Sequence, residues 1–190
     1  MERNLTENKI FEKEDYRKKQ ITRGVYELCK FINCDFSETG LSLINFVDCE
    51  FINCNLSLAR FGDTVLRDVK FKDCKLLGLH FENCAEFGLS FSFENCTLDH
   101  SSFYKRKIQK TKFNNCQLHE TDFTECDLTG SVFDNCDLAR AVFINSILEK
   151  TDFSSSYNFA IDPEVNKIKK AKFSKDGLAG LLTKYDLKIE

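Results

Sequence analysis

The chain has no tryptophan, one proline, one methionine and eight glycines among its 190 residues. With so little proline and glycine, its turns have to repeat without the residues that usually punctuate a chain. No apolar run approaches the ~20 residues needed to span a bilayer. The opening Met1-Glu2-Arg3-Asn4 continues into charged residues and lacks the apolar centre of a secretory signal, so a cytoplasmic protein without membrane contact is expected. No P-loop, G-x-S-x-G, H-E-x-x-H or G-x-G-x-x-G motif occurs. A net charge of −3 excludes a uniformly basic nucleic-acid binder, and no direct contact with nucleic acid is expected. With 30 % charged and 42 % hydrophobic residues, the composition is that of a folded domain of ordinary size.

What the sequence has in excess is 19 phenylalanines and 10 cysteines. Both fall on a grid. Stepping by five from Phe11 to Phe81 gives only large apolar residues, among them Tyr16, Ile21, Tyr26, Phe31, Phe36 and Leu41. A second series runs from Phe93 to Phe153 through Leu98, Phe103, Ile108 and Phe113, displaced by two residues from the first. Counting Phe173, sixteen of the 19 phenylalanines lie on this grid. Five residues advance a helix by a net 140°, and on one unbroken strand they alternate faces, so neither element accounts for the period. A short extended piece followed by a corner does.

If the grid position is i, all ten cysteines fall at i−2, Cys84 before the next step of the first grid at Glu86, and the other i−2 sites are mostly small, such as Thr64, Ser101, Thr121 and Ala141. Positions i and i−2 therefore point inward, and the remaining three are mostly polar. Residues 20 apart also match: Phe93, Phe113, Phe133 and Phe153 form one set, and Cys34, Cys54, Cys74, Cys96, Cys116 and Cys136 another. Beside those cysteines run Asn33, Asn53, Asp73, Asn95, Asn115 and Asn135, a column expected to hydrogen-bond along the stack.

Cys-Asp-Phe-Ser-Glu (34–38), Cys-Asp-Leu-Thr-Gly (126–130) and Cys-Asp-Leu-Ala-Arg (136–140) resemble the repeat unit of the pentapeptide-repeat family. The resemblance extends over roughly residues 11–173. It implies an all-β solenoid, a right-handed quadrilateral β-helix in which four pentads make one square coil.

Residues 1–10 are expected to be a loose lead-in, 11–173 the solenoid, and 174–190 a cap. A two-residue insertion at about 84–92 joins two halves, and Phe87, Leu89, Phe91 and Phe93 alternate there like a half-buried strand. Ser174 can cap a short α-helix over about 175–185 with Leu178, Leu181, Leu182 and Tyr185 on one face. The resemblance to quinolone-resistance-type members implies homodimerisation there, with Leu187 and Ile189 joining the contact.

The cysteines contain no C-x-x-C pair and all sit at the small inward position, so reduced core thiols are expected, with neither metal nor disulfide. His80, His100 and His119 stand at outward positions. Carboxylates on a regular rod have no cleft to tune them, so neither a catalytic role nor a cofactor is expected.

Charge is segregated. Residues 31–100 and 113–152 each carry net −6, whereas 101–112 hold five bases and no acid. Two functions fit. One is a mimic of duplex DNA, presenting carboxylates to a groove built for phosphates; the resemblance names DNA gyrase and topoisomerase IV as partners, and Asp122, Glu125, Asp127, Asp134 and Asp137 are the candidate face. The other is a protein-interaction scaffold using the bulge at Phe87 or the basic patch of Tyr104, Lys105, Arg106, Lys107 and Lys110. Arg106 occupies an i−2 site, where either the backbone distorts or its stem fills the slot.

Overall fold

A chain that returns over itself every 20 residues buries its large side chains in columns, and that is the arrangement observed. The computed structural model describes residues 4–188. The strands are β1 (Leu5–Glu7), β2 (Ile10–Glu12), β3 (Val25–Glu27), β4 (Lys30–Ile32), β5 (Asn45–Val47), β6 (Glu50–Ile52), β7 (Val65–Arg67), β8 (Val69–Lys72), β9 (Phe91–Glu94), β10 (Lys112–Asn114) and β11 (Val132–Asp134). All pairs are parallel, giving one sheet ordered β1-β3-β5-β7 and another ordered β2-β4-β6-β8-β9-β10-β11. The register is 20 residues, as in Phe31↔Phe51, and becomes 22 across the insertion at Phe71↔Phe93. Isolated parallel bridges continue the same spacing elsewhere, so the solenoid carries four ladders five residues apart.

Ladder 1 holds the Phe31 column, ladder 2 the Phe36 column, ladder 3 the Phe61 column and ladder 4 the Tyr26 column, which extends from β1 to Ile168. In ladder 1, nine phenylalanines from Phe11 to Phe173 stack in sequence, with centroids 4.6–5.4 Å apart and planes within 18°. That spacing follows the separation of neighbouring parallel strands, about 4.8 Å. Rings of adjacent ladders meet edge-on, as Phe123 does with Phe133 at 5.7 Å and 89°.

The i−2 residue is more than small. The hydroxyl of Thr64 donates to the Leu41 carbonyl at 2.7 Å, Ser101 to Leu76 at 2.7 Å, Thr121 to Leu98 at 3.1 Å, and the Cys54 thiol to Phe31 at 3.2 Å. Each carbonyl belongs to a large residue of the preceding coil; those of Leu41 and Leu76 lie at corners where no backbone N–H reaches them, whereas Leu98 also accepts the Ser101 N–H at 3.0 Å. A side-chain donor at i−2 meets that need. Asn166 fills the same site near the end of the rod, its Nδ2 donating to Phe143 at 2.8 Å.

The corners themselves are left-handed. Twenty-six of the described non-glycine residues have φ between 50° and 62°, nearly all two positions after a large inward residue. This conformation costs roughly 1–2 kcal/mol for an L-residue. It is held because most corner N–H groups donate to the next coil, as Asn33 does to Ile52 at 2.9 Å. The expected amide column is present: Asn53 donates to Asn33, Asn95 to Asp73, Asn115 to Asn95 and Asn135 to Asn115, at 2.6–3.2 Å.

Three expectations are corrected. Of the expected loose lead-in 1–10, residues 4–10 are ordered, because β1 and β2 already pair with β3 and β4, and residues 1–3 lie outside the described residues; Asn4 and Lys9 take polar i−2 positions in an end coil open to solvent. The α-helix over 175–185 is replaced by 3₁₀ turns at Asp176–Leu181 and Thr183–Tyr185. Gly177 and Gly180, three apart, share one face of a 3₁₀ turn, and both lie against Phe159, whose ring atoms fall 2.9 Å and 2.7 Å from where Cβ atoms would be. Ser174 does accept the Gly177 N–H at 3.0 Å. Phe87 does not share the alternation of Leu89, Phe91 and Phe93: Phe91 and Phe93 enter the core, whereas Phe87 is 92 % exposed.

Replacing Phe123 by Ala removes a fully buried ring and is expected to cost about 3–5 kcal/mol in denaturant unfolding. Glu125→Gly, at a corner with φ of 55°, should leave stability unchanged or raise it by up to about 1 kcal/mol. The donor requirement has its own test. Thr64→Val keeps shape but strands the Leu41 carbonyl and should cost about 1–3 kcal/mol, whereas Thr64→Ser, which keeps the hydroxyl, should cost clearly less.

Candidate partner-binding surfaces

The five candidate acids do not share a face. Asp122 lies on ladder 3, Asp127 on ladder 4 and Asp137 on ladder 2, as their bridges to Val142, Ile147 and Tyr157 show. Asp134 ends β11 on ladder 1, and Glu125 is the corner residue after Asp122. Acids five residues apart turn a corner at each step, so these five form a belt around the rod.

Most of them also hold the fold together. Oδ1 of Asp122, Asp127 and Asp137 accepts the backbone N–H two residues on, from Thr124, Thr129 and Ala139, at 2.8–3.1 Å. Asp15, Asp35 and Asp152 do the same. A carboxylate at i−1 thus closes the turn that follows it. Asp134 accepts the Ser155 hydroxyl at 2.8 Å, and Glu125 accepts the Tyr104 hydroxyl at 3.4 Å and pairs with Lys105 at 3.6 Å.

These bonds tune acidity. Burial works against ionisation of Asp127, but donors from Thr129 and Gln109 outweigh it and hold the carboxyl below its ordinary value. Asp137 is also lowered: burial opposes, while His119, Asn158 and the Ala139 N–H prevail. Asp152 is lowered chiefly by the Ser154 hydroxyl.

The basic patch divides. Tyr104 carries the Lys105 ammonium 4.8 Å from its ring centroid, and this pair sits beside Glu125. Arg106 is half-buried with Nε sealed from solvent, and its backbone stays regular, so the stem fills the small-residue slot between Cys84 and Cys126. The Cys126 thiol donates to its carbonyl at 3.1 Å. Lys107 and Lys110 are exposed on ladder 4 without an ion pair among the described residues.

At the C-terminus Leu178, Leu182, Tyr185 and Leu187 are exposed, Leu181 packs against the core, and Ile189 lies outside the described residues. Lys184 ties this segment to Asp162 at 2.8 Å and to Glu164.

All ten cysteines are buried free thiols. Burial pushes Cys49 up to about 12 and raises Cys84 and Cys126 as well, which suppresses thiolate chemistry. The histidines take part in polar contacts along the stack: His119 lies 3.0 Å from Asp137, and His100 lies 3.2 Å from Glu120, which Arg140 also binds. Among the described residues no group of His, Cys, Asp or Glu is placed to hold a metal, and no helix is long and apolar enough to cross a membrane.

Sequence reasoning missed the turn-closing role of the aspartates. The signal lay in Asp35-Phe-Ser37, Asp127-Leu-Thr129 and Asp152-Phe-Ser154, where an acid precedes a hydroxyl residue by two.

The pentapeptide repeat region model matches residues 26–91 and 89–157. A trypsin-treated form of QnrB1, a plasmid-mediated fluoroquinolone resistance protein, shares the fold at a TM-score of 0.56 and 17 % identity, covering 100 % of both chains. HetL, a pentapeptide repeat protein involved in heterocyst differentiation regulation in the cyanobacterium Nostoc sp. strain PCC 7120, gives 0.53 at 14 % identity over 93 % of this chain and 90 % of that one. At these identities the likeness is one of fold. No curated protein matches the chain.

The lowered carboxyls set a pH dependence. A depressed folded value means stability present above the unfolded value near 4 and lost as pH falls through the folded one. The melting temperature is expected to fall between pH 5 and pH 3, and Asp127→Asn with Asp137→Asn should flatten that fall. A melting temperature independent of acidification would contradict the assignment.

Proposed function

The chain belongs to the pentapeptide-repeat family, and from that premise we propose that it is a non-catalytic cytoplasmic protein that binds DNA gyrase or topoisomerase IV in place of duplex DNA. The observation that carries the reading is the belt of carboxylates around residues 113–152, a segment of net −6. An acidic belt suits a partner that grips a rod from several sides, as an enzyme that holds duplex DNA must. The shared fold with a fluoroquinolone resistance protein supports the same reading. The coil is taken as right-handed and square in section, in keeping with the rule for parallel crossovers. The same reading has two chains pair through the exposed C-terminal Leu178, Leu182, Tyr185 and Leu187.

The test is gyrase supercoiling in the presence of a fluoroquinolone, with and without the protein. Protection is expected, and it should be lost in the Asp122→Asn, Asp127→Asn and Asp137→Asn variant. Asparagine can still close each turn, so its circular dichroism should be unchanged. Absence of protection at micromolar protein would overturn the reading and favour a scaffold for another protein through Phe87 and the basic patch.

A further inference from the structure

Where the chain passes from ladder 4 to ladder 1 it turns through a left-handed residue in coil after coil: Asn8, Leu28, Asp48, Asp68, Lys110 and Lys150 have φ between 50° and 59°. The insertion coil departs from this. Its register sets Ser90 between Asp68 and Lys110, and the left-handed turn is taken two residues earlier, at Gly88 with φ of 74°. Ser90 is drawn onto the coil below, its N–H donating to the Leu66 carbonyl at 2.9 Å and its hydroxyl accepting the Asp68 N–H at 2.7 Å. Above it ladder 4 is broken. The N–H groups of Asp127 and Ile147 donate to the coil beneath them, but that of Lys107 has no acceptor among the described residues.

The break opens a notch of about 280 Å³ in the side of the rod. Val69 and Phe91 give it an apolar floor, Asp68 and Lys70 border it below, and Lys110 and Lys112 border it above. That volume lies under the ~300–1,000 Å³ of pockets for whole small molecules and suits a single large side chain. Three residues before Ser90, the same loop holds out Phe87, 92 % exposed.

The rim is basic. Arg67, Lys70, Lys107, Lys110 and Lys112 stand around the notch and loop against two carboxylates, Asp68 and Glu86. The next acids are Asp127 one coil up, held by Thr129 and Gln109, and Glu50 one coil down, paired with Lys70. Among the described residues Arg67, Lys107, Lys110 and Lys112 have no ion pair and no side-chain hydrogen bond, whereas Lys72 pairs with Glu94 and Lys172 with Asp152. Arg106 adds a guanidinium at the other corner of the same side, its sealed Nε without an acceptor.

We propose that this face binds an acidic protein segment in extended form. The segment seats one large apolar side chain in the notch, packs against Phe87 and sets its carboxylates against Lys107, Lys110 and Lys112. Unpaired cations favour carboxylates, and the apolar floor with Phe87 disfavours a purely ionic partner. A nucleic-acid strand fits poorly. The basic stretch 101–112 is one coil high, and the segments 31–100 and 113–152 beside it each carry net −6, so a continuous run of phosphates meets carboxylates within a Debye length. The face is separate from the C-terminal Leu178, Leu182 and Tyr185, so two chains paired there present it twice. It is also independent of whether the acidic belt engages a topoisomerase.

About four extended residues, ~13 Å at ~3.3 Å each, cross this side of the rod. Such a contact is far smaller than the ~800 Å² per partner of a standard stable interface, so it is weak and sensitive to salt.

Selection of a phage-displayed library of random twelve-residue peptides on the full chain, followed by fluorescence anisotropy with the selected peptide, tests this. Selected peptides are expected to carry aspartate or glutamate on both sides of one large apolar residue. Binding should weaken at least about tenfold in half-molar salt, on Lys110→Glu with Lys112→Glu, on Phe87→Ser, and on replacing the peptide's apolar residue by serine. Glutamate already occupies corners of the same kind at 120 and 125, and Phe87 is outside the core, so circular dichroism should not change. The charge-reversed chain should gain affinity for the same peptide with its acids replaced by lysine, which loss of folding would not allow. Four results overturn the proposal: no enrichment, enrichment of peptides without acids, a selected peptide indifferent to both sets of substitutions in the chain, or a thymidine oligonucleotide of equal charge that binds more tightly through the same lysines.

Discussion

The structure depends on one recurring bond, between a side-chain donor at i−2 and the carbonyl of a large residue in the coil before. Parallel strands three residues long satisfy their own backbone groups, but a chain that bends every five residues leaves some corner carbonyls, such as those of Leu41, Leu76 and Ile108, without a backbone donor. Cysteine, serine and threonine are the side chains that are both compact enough for the interior and able to donate. This explains why cysteine is abundant in a protein where no thiol is exposed. Ala59 and Ala141 meet the size limit and give up the bond, and Ile44, Val69, Leu79 and Phe91 give it up to fill the same position with apolar bulk.

Much of the core was legible because size at i and i−2 is a local property, repeated until chance is excluded. Phe113, Phe123 and Phe133 declared their burial by spacing alone. The corners were not legible, since Asn33, Glu38, Leu43 and Lys105 all adopt the same left-handed conformation and share no chemistry. What selects it is the coil above, which a linear reading does not contain. At the ends the same limit applied. Leu178, Leu181, Leu182 and Tyr185 have helical spacing, yet Gly177 and Gly180 answer to the Phe159 ring. The first coil looked disordered because Asn4 and Lys9 need no burial where nothing lies over them.

The candidate surface shows a different difficulty. Aspartates at 122, 127 and 137 look like a face on paper, whereas stacking places equivalent positions 20 apart and sends neighbours five apart around corners. Their chemistry is also shared between two tasks. One oxygen closes a turn and the other faces solvent or a neighbour, as Asp127 shows with Thr129 on one side and Gln109 on the other. Acidity in this molecule is thus partly a requirement of the coil, and any binding role is added to it.

The two-residue insertion has a consequence for how such a molecule can change in length. Each ladder tolerates only a shift that brings the same column back over itself, which means whole turns of 20 residues. The loop at 84–90 is the place where a surplus of two was absorbed, by pushing Phe87 out and restoring register at Val69↔Phe91. Duplication or loss of a turn elsewhere would leave every contact type intact while moving the two ends by one strand spacing. The rod is in that sense quantised: its chemistry is indifferent to how many turns it has, and only a partner that measures its length would notice.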